Sequence, residues 1–401
     1  MRICLVSGEY PPMQGGVGDY THELGRALIQ LGQQVVVLTS SKAASGQQTF
    51  EVKKHPPKVY TQEPAVRPSV ERWNWGSWSH VGHTVRQWQS DVLHIQYQTA
   101  AYAMHPAINF LPLRLRMNKD SPRVVVTFHD LRVPYLFPKA GPVRSWVNQM
   151  LARYSDAVIA TNEEDFATLG HWPLGHCSLH LIPIGSNIHP QWPSGYDRSA
   201  WRNRLGVAEG ETLLCYFGFL NASKGGETLV RALAELLRRG HKVKLLMIGG
   251  QVGASDLTNV AYLKHVQALC AQLGLGGRVL WTGYMAQEQV SANFKAADIC
   301  VLPYRDGASY RRGSFMAALA HGLPIVSTQP RVPITSLLSG ENILLVPPDD
   351  VLATAEAVES LMLSPALRTR LGRGAAELAK QFTWDKIAAQ TVQVYHELLG
   401  A

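Results

Sequence analysis

Ten short apolar runs, arranged in two series of five, constrain the fold more than any other feature of this sequence. RICLVS (2–7), QVVVLTS (34–40), VLHIQY (92–97), RVVVTFH (123–129) and DAVIAT (156–161) form the first series. ETLLCYFGFL (211–220), KVKLLMIGG (242–250), RVLWTGY (278–284), DICVLPY (298–304) and LPIVST (323–328) form the second. Near-continuous apolar, β-branched runs read as parallel strands buried on both faces. Between them lie helix-period segments such as YTHELGRALIQLG, where Leu24, Leu28 and Leu31 recur at helical spacing before the stop signal Gly32. The expected class is therefore α/β, with two doubly wound parallel-sheet domains facing a cleft. The proline- and glycine-rich passage LIPIGSNIHPQWPSGYD reads as the linker, which assigns residues 1–185 and 190–384 to the two domains. Ligands are expected at the carboxyl ends of the strands, toward the cleft. The closing segment FTWDKIAAQTVQVYHELL reads as a helix that either ends the second domain or returns to the first.

With 46% apolar and 17% charged residues, the chain has material for buried cores and none of the signature of disorder. The net charge of +8 suits an anionic ligand or surface. No nucleic-acid-binding motif accompanies it, so nucleic acid is not expected as a partner. Five cysteines, Cys4, Cys177, Cys215, Cys270 and Cys300, are odd in number and form no CxxC pair. They read as buried free thiols of a reducing compartment. The first apolar run is too short for a signal-peptide core, and no stretch reaches the roughly 18 apolar residues of a membrane span. A cytoplasmic protein is expected, with peripheral contact at the inner membrane face as the variant.

Four stretches carry candidate chemistry. In GEYPPMQGGVGDYTHEL, Gly15, Gly16 and Gly18 let a ligand approach the backbone, and Asp19 reads as a cap for the next helix. The alternative is a loop that needs glycine only for its turn. A dinucleotide fingerprint does not fit, because the strand-to-helix spacing is too long and no ribose-binding acid follows strand two. In FGFLNASKG, Lys224 stands just before a helix, either beside its amides to meet phosphate or simply solvated. In PYRDGASYRRGSFMAALAHGLPIVSTQ, Arg311 and Arg312 precede a helix that Ser314 or a neighbour would cap. Gly313 leaves room for an anion there, and two solvated arginines are the alternative. His129 closes the strand VVVTFH and is either structural or part of the site. The histidines are dispersed and no metal-ligand spacing occurs, so neither metal nor cofactor is expected.

In this order, the Gly-Gly-Val-Gly loop, VVVTFHD, FGFLNASKG, RVLWTGYMAQEQVSANFKAADICVLPY, AALAHGLPIVST and the closing FTW helix resemble the GT4-type (group 1) retaining glycosyltransferases of GT-B fold, built from two Rossmann-like domains. The resemblance covers nearly the whole chain. It implies transfer of a hexose-type sugar from a nucleotide-diphosphate sugar to a glycan or lipid-linked acceptor. Lys224 matches the lysine on the donor diphosphate, while the family's nearby arginine is Phe219 here. Tyr284 and Met285 fall where the backbone holds the nucleobase. Gly16 matches the loop that reaches the diphosphate, with Gly15, Gly18, Asp19 and Tyr20 on the acceptor side. His129 matches a histidine beside the transferred sugar, in the catalytic set. The closing helix, about residues 385–401, would pack back on the first domain.

One departure stands out. The family's two glutamates, eight residues apart, align with Ser309 and Ala317. Arg311, Arg312, Gly313 and Ser314 then remain for the diphosphate, with Asp306 as the nearest acid for the ribose or sugar. An active transferase with a rebuilt donor site and a non-catalytic binder of nucleotide sugar or partner both follow from this. Arg114, Arg116, Lys119, Arg123, Arg132, Lys139 and Arg144 crowd the later first domain among INFLPLRL and VPYLF, either as solvated charge or as a surface for anionic lipid. The tryptophan-rich RWNWGSWSHVGHTVRQW (72–88) reads as packing beneath a helix rather than as a sugar platform.

Overall fold

The computed structural model describes residues 1–44, 62–118, 120–131, 142–249 and 257–400. It divides into two compact units, Met1–Gly185 with Trp384–Ala401, and Ser186–Thr383. The first unit holds β1 (Arg2–Ser7), β2 (Gln34–Ser40), β3 (Ala65–Val70), β4 (Val92–Tyr97), β5 (Arg123–Phe128), β6 (Ala157–Ala160) and β7 (Ser178–Leu181). Its helices are α1 (Gly16–Gln30), α2 (Ser77–Trp88), α3 (Ala107–Arg116), α4 (Pro142–Tyr154) and α5 (Glu163–Gly170). The second unit holds β8 (Thr212–Phe217), β9 (Val243–Ile248), β10 (Val279–Trp281), β11 (Ile299–Leu302), β12 (Ile325–Thr328) and β13 (Leu344–Val346). Its helices are α6 (Arg198–Arg204), α7 (Gly226–Arg238), α8 (Leu257–Gln272), α9 (Gln287–Ala296), α10 (Gly313–Ala320), α11 (Val351–Leu363) and α12 (Pro365–Ala379). The last helix, α13 (Trp384–Leu399), belongs to the first unit.

Both sheets are parallel throughout, ordered β3-β2-β1-β4-β5-β6-β7 and β10-β9-β8-β11-β12-β13. Strand order reverses beside β1 in one unit and beside β8 in the other, the place where open α/β sheets bind ligands at their carboxyl edge. In the first sheet successive residues enter opposite cores. Cys4, Val6, Val36, Leu38, Leu93 and Ile95 face one side, and Ile3, Leu5, Val35, Val37 and Val92 the other. That alternation, apolar on both faces, is why these strands read as continuous apolar runs.

Each of the ten apolar runs contains a strand, and three further strands appear: β3, β7 and β13. All three lie at sheet edges. There one flank lacks a neighbour, and the sequence tolerates Pro68 within AVRPSV, a histidine within SLHL, and only three residues in LLV. Gly250, at the end of the run KVKLLMIGG, lies outside the described residues.

α13 covers one face of the first sheet through Trp384, Ile387, Ala388, Val394 and Tyr395. The Tyr395 hydroxyl lies 2.6 Å from His94 Nδ1, and Thr127 Oγ1 lies 2.7 Å from the other ring nitrogen, so a fully buried histidine finds both partners. Of the tryptophan-rich segment, Trp73 and Trp88 are buried, and Trp78 donates its indole N–H to the Ala107 carbonyl at 2.9 Å. Trp75 departs from the packing reading at 49% exposure. Among the described residues no helix is long and apolar enough to cross a membrane, and no group of three His, Cys, Asp or Glu side chains is placed to hold a metal ion. All five cysteines are free.

Candidate functional site

The second unit gathers its candidate residues at the carboxyl ends of β8, β10 and β11. After β8, Gly218 adopts φ 112°, and Asn221 Oδ1 then accepts the Ser223 backbone N–H at 3.0 Å and the Ser223 hydroxyl at 2.8 Å. This Asx turn aims Lys224 back toward the sheet. Gly225, at φ 69°, has no room for a side chain, since a Cβ would collide with the Pro303 carbonyl oxygen. The Arg305 N–H donates to the Ser223 carbonyl at 2.9 Å, so the loops after β8 and β11 are laced together.

Tyr304 is the hub of the arrangement. Its ring is fully buried, with the Lys224 ammonium 5.1 Å and the Arg312 guanidinium carbon 4.3 Å from its centroid. An aromatic face attracts both cations and fixes their positions. The Tyr304 hydroxyl and Ser314 Oγ are 2.6 Å apart. Ser314 therefore does not cap α10, contrary to the sequence expectation. The helix begins one residue earlier, after an extended Arg312, and its first turn has no side-chain cap. A Cβ on Gly313 would meet nothing within 4 Å, so there is free space beside the first residue of this buried helix, while the Phe315 and Met316 N–H groups already donate to the Arg312 carbonyl at 2.9 and 3.0 Å. Such a helix end attracts anions.

Asp306 is 6% exposed and Arg312 8% exposed, and the two are hydrogen-bonded; Arg311 Nη2 stands 3.6 Å from the same carboxylate. The acid the sequence assigned to the ribose thus has a second occupation, holding two guanidiniums in place, which its spacing did not reveal. Three cations against one carboxylate leave the cluster net positive. Ser309 and Ala317, which the resemblance aligns with two glutamates, are buried at 9% and 0% exposure. Beyond β10, Gly249 and Gly283 form a bridge, and the Gly249 N–H donates to Thr282 Oγ1 at 3.0 Å. Tyr284 follows with 72% of its surface exposed. The Met285 sulfur accepts from Asn293 Nδ2 at 3.0 Å.

In the first unit the glycine loop is organised by a residue the sequence reading missed. Glu9 Oε1 accepts the N–H groups of Val17 at 3.0 Å and Gly18 at 3.2 Å, which caps α1 with a carboxylate. Asp19 is the fourth residue of that helix and not its cap. A Cβ on Gly15 would overlap the Glu9 carboxylate, and one on Gly18 would lie 3.0 Å from Tyr10 Cα, whereas Gly16 faces open space. Two of the amides expected to await phosphate are thus already satisfied. The only signal for this was a glutamate directly after strand one. Burial raises the Glu9 carboxyl above its ordinary range, opposed by those two amides. Burial, and then the Glu9 charge, push Asp19 up to about 6, opposed by His22.

His129 Nε2 lies 3.0 Å from Gln96 Oε1, and its ring meets the edge of Tyr20 at 4.5 Å. Tyr20 in turn packs on Trp384 at 5.2 Å. Burial holds the imidazole down at about 3, so it is neutral at physiological pH. The Gln96 amide nitrogen is fully buried without a partner among the described residues. Gln96 escaped the sequence reading because it sits inside an apolar strand run.

This geometry can be set beside known proteins. Residues 15–185 match the glycosyl transferase 4-like domain, and residues 197–378 match the glycosyl transferases group 1 family. The chain belongs to the group 1 glycosyltransferase family. Glycogen synthase of Mycobacterium tuberculosis is 28% identical to this glycosyltransferase over 98% of the chain and 94% of its own length. A D-inositol 3-phosphate glycosyltransferase of Xylanimonas cellulosilytica is 27% identical over 98% and 96%. Sucrose-phosphate synthase from Thermosynechococcus elongatus shares the fold with a TM-score of 0.77 at 23% identity, covering 100% of this chain and 99% of its own. Anabaena HepE, solved with UDP and glucose, gives 0.75 at 17% identity, covering 99% and 100%. Both domains of this glycosyltransferase are accordingly the Rossmann-like halves of the GT-B fold.

Proposed function

We propose that this glycosyltransferase moves a hexose-type sugar from a nucleotide-diphosphate sugar to a glycan or lipid-linked acceptor, with retention of anomeric configuration. The observation that supports this most is the cationic cluster around Tyr304, beside the uncapped first turn of α10 with free space at Gly313. Breaking the bond between the anomeric carbon and the diphosphate loads negative charge on the leaving group. Fixed cations and amides lower that barrier without reorganising. Lys224, Arg311, the Gly313 amide and Ser314 meet the diphosphate, with Arg312 behind them as a buried support. Tyr284 and Met285 border the base. Asp306, engaged by two guanidiniums, is a poor nucleophile, which favours attack by the acceptor hydroxyl from the face that the diphosphate leaves. Neutral His129 acts as a hydrogen-bonding partner of the sugar rather than as a cation. On the acceptor side, Gly16 offers the open face of its loop, and Asp19 a carboxylate that exchanges protons near neutrality. HepE has been solved with UDP-glucose, which makes UDP-sugars the first donors to try.

The burial of Ser309 and Ala317 where the family has glutamates favours a second reading, a binder of nucleotide sugar without turnover. One experiment separates the two. A panel of UDP-, GDP- and ADP-sugars is screened by thermal shift, and donor hydrolysis is then followed for each binder. Transfer predicts slow hydrolysis that falls about 100-fold or more in Lys224→Ala. Binding with no turnover for any donor supports the second reading. Hydrolysis unaffected by Lys224→Ala sinks the phosphate site proposed here.

A further inference from the structure

The surface of the first unit around α2, α3 and α4 has no role in the donor reading, and its chemistry is unusual for a solvated face. α3 buries Ala107, Ile108, Leu111 and Leu115. The opposite side of the same helix presents Phe110, Leu113, Arg114 and Met117, at helical spacing i, i+3, i+4 and i+7. A helix lying on a protein in water is ordinarily polar on that side. Here Leu113 is 37% exposed and Met117 75%. The strip continues onto both neighbours. Trp75, just before α2, meets Phe110 at 6.1 Å, and Phe110 meets Trp146 of α4 at 5.8 Å, with Trp75 and Trp146 each about half exposed.

The charge around the strip is predominantly positive. From Arg72 to Asp156 the sequence places ten Lys and Arg against four Asp and no Glu, a net +6 in a chain whose total is +8, and Asp156 is engaged by Arg116 and Arg123, each at 3.7 Å. Arg86, Arg114 and Arg153 are exposed, and among the described residues no carboxylate stands within ion-pair distance of any of them. A groove of about 740 Å³ runs between α2 and α3, walled by Trp75, Trp78, Arg86, Arg114 and Met117, with Asp120 as its one acid.

We propose that this face of the first unit docks on an anionic lipid bilayer, with Trp75, Phe110, Leu113, Met117 and Trp146 entering the headgroup–acyl boundary and Arg86, Arg114 and Arg153 lying against lipid phosphates. Tryptophan at the interface, aliphatic side chains below it and unpaired arginines beside them are the pattern of a peripheral membrane surface. A soluble glycan would use the flat indoles and has no use for exposed Leu113 and Met117. A second copy of the chain would bring one strongly positive patch against another. The inference is independent of the donor site, so it stands or falls apart from the transferase reading.

Flotation of the full chain with vesicles tests it. Phosphatidylcholine vesicles containing a minority of phosphatidylglycerol should carry the protein at low salt, and pure phosphatidylcholine should not. High salt should release it, because the contacts are surface charges. Replacing Arg86, Arg114 and Arg153 by Gln should weaken binding about fivefold per arginine, on the order of 100-fold together. Trp75→Ser with Met117→Ser should lower the bound fraction several-fold at low salt with only a small fall in melting temperature, since Met117 is largely in water and Trp75 is half exposed. Arg370→Gln with Arg373→Gln, exposed basic residues of α12 in the second unit, make a smaller change of the same sign elsewhere and should bind as wild type. Absence from anionic vesicles at low salt overturns the proposal. So does wild-type flotation of the arginine variant, or binding to soluble glucan or oligonucleotide without binding to vesicles.

Discussion

Asp306 illustrates how one side chain can change the meaning of its neighbours. Its carboxylate is buried with Arg312 on one side and Arg311 on the other, so Arg312 is as much a structural ion as a candidate ligand contact. Removing one partner of a buried pair leaves the other charged in a poor solvent. Asp306→Ala should therefore lower unfolding stability by about 3–5 kcal/mol, read from denaturant midpoints, with Asp306→Asn less severe. His129 makes a different prediction. Its folded pKa of about 3 lies below the ordinary value for histidine. The neutral ring is therefore accommodated fully above about pH 6.5, and that stability is lost as the pH falls toward 3. Unfolding free energies compared with His129→Gln should diverge across that interval and run parallel above it. Between pH 7 and 8 activity should show no limb belonging to His129.

At the scale of elements, interior strands were legible, while of the four edge strands only β10 was. β1, β2, β4 and β5 are packed on both faces and announce themselves as near-continuous apolar runs, whereas β3 with its Pro68 looks like a loop until β2 is seen beside it. Helix ends were the second blind spot. Local sequence suggested Asp19 and Ser314 as caps, but α1 takes its cap from Glu9 across a turn, and the hydroxyl of Ser314 is drawn to Tyr304. Positions such as Lys224 and His129 could be picked out because they directly follow recognisable strands. The Tyr304 hub could not, since it depends on two loops meeting. A contrast between adjacent glycines follows. Gly15→Ala must displace the Glu9 carboxylate and should cost about 1 kcal/mol, the usual worth of a cap. Gly16→Ala meets open space and should leave thermal stability unchanged. If Gly16→Ala nonetheless reduces transfer, that loop works on a ligand and not on the fold.

For the whole molecule, the division into Met1–Gly185 with Trp384–Ala401 and Ser186–Thr383 assigns separate fates to its parts. The second unit is continuous in sequence and contains Lys224, Arg311, Gly313, Ser314, Tyr284 and Met285, the residues proposed for the diphosphate and the base. Expressed alone, residues 186–383 should fold, with a cooperative melt followed by circular dichroism. They should also show a thermal shift with the nucleotide that the full chain prefers. Deleting α13 should instead unfold the first unit, because Tyr20, His94 and the apolar face of α1 lose their covering.

That last helix also dictates a timetable for synthesis. The strands of the first unit leave the ribosome well before α13, and one side of their sheet waits uncovered until that helix follows. The second unit can close on itself first, so the unit whose translation begins earlier is completed after the one that follows it.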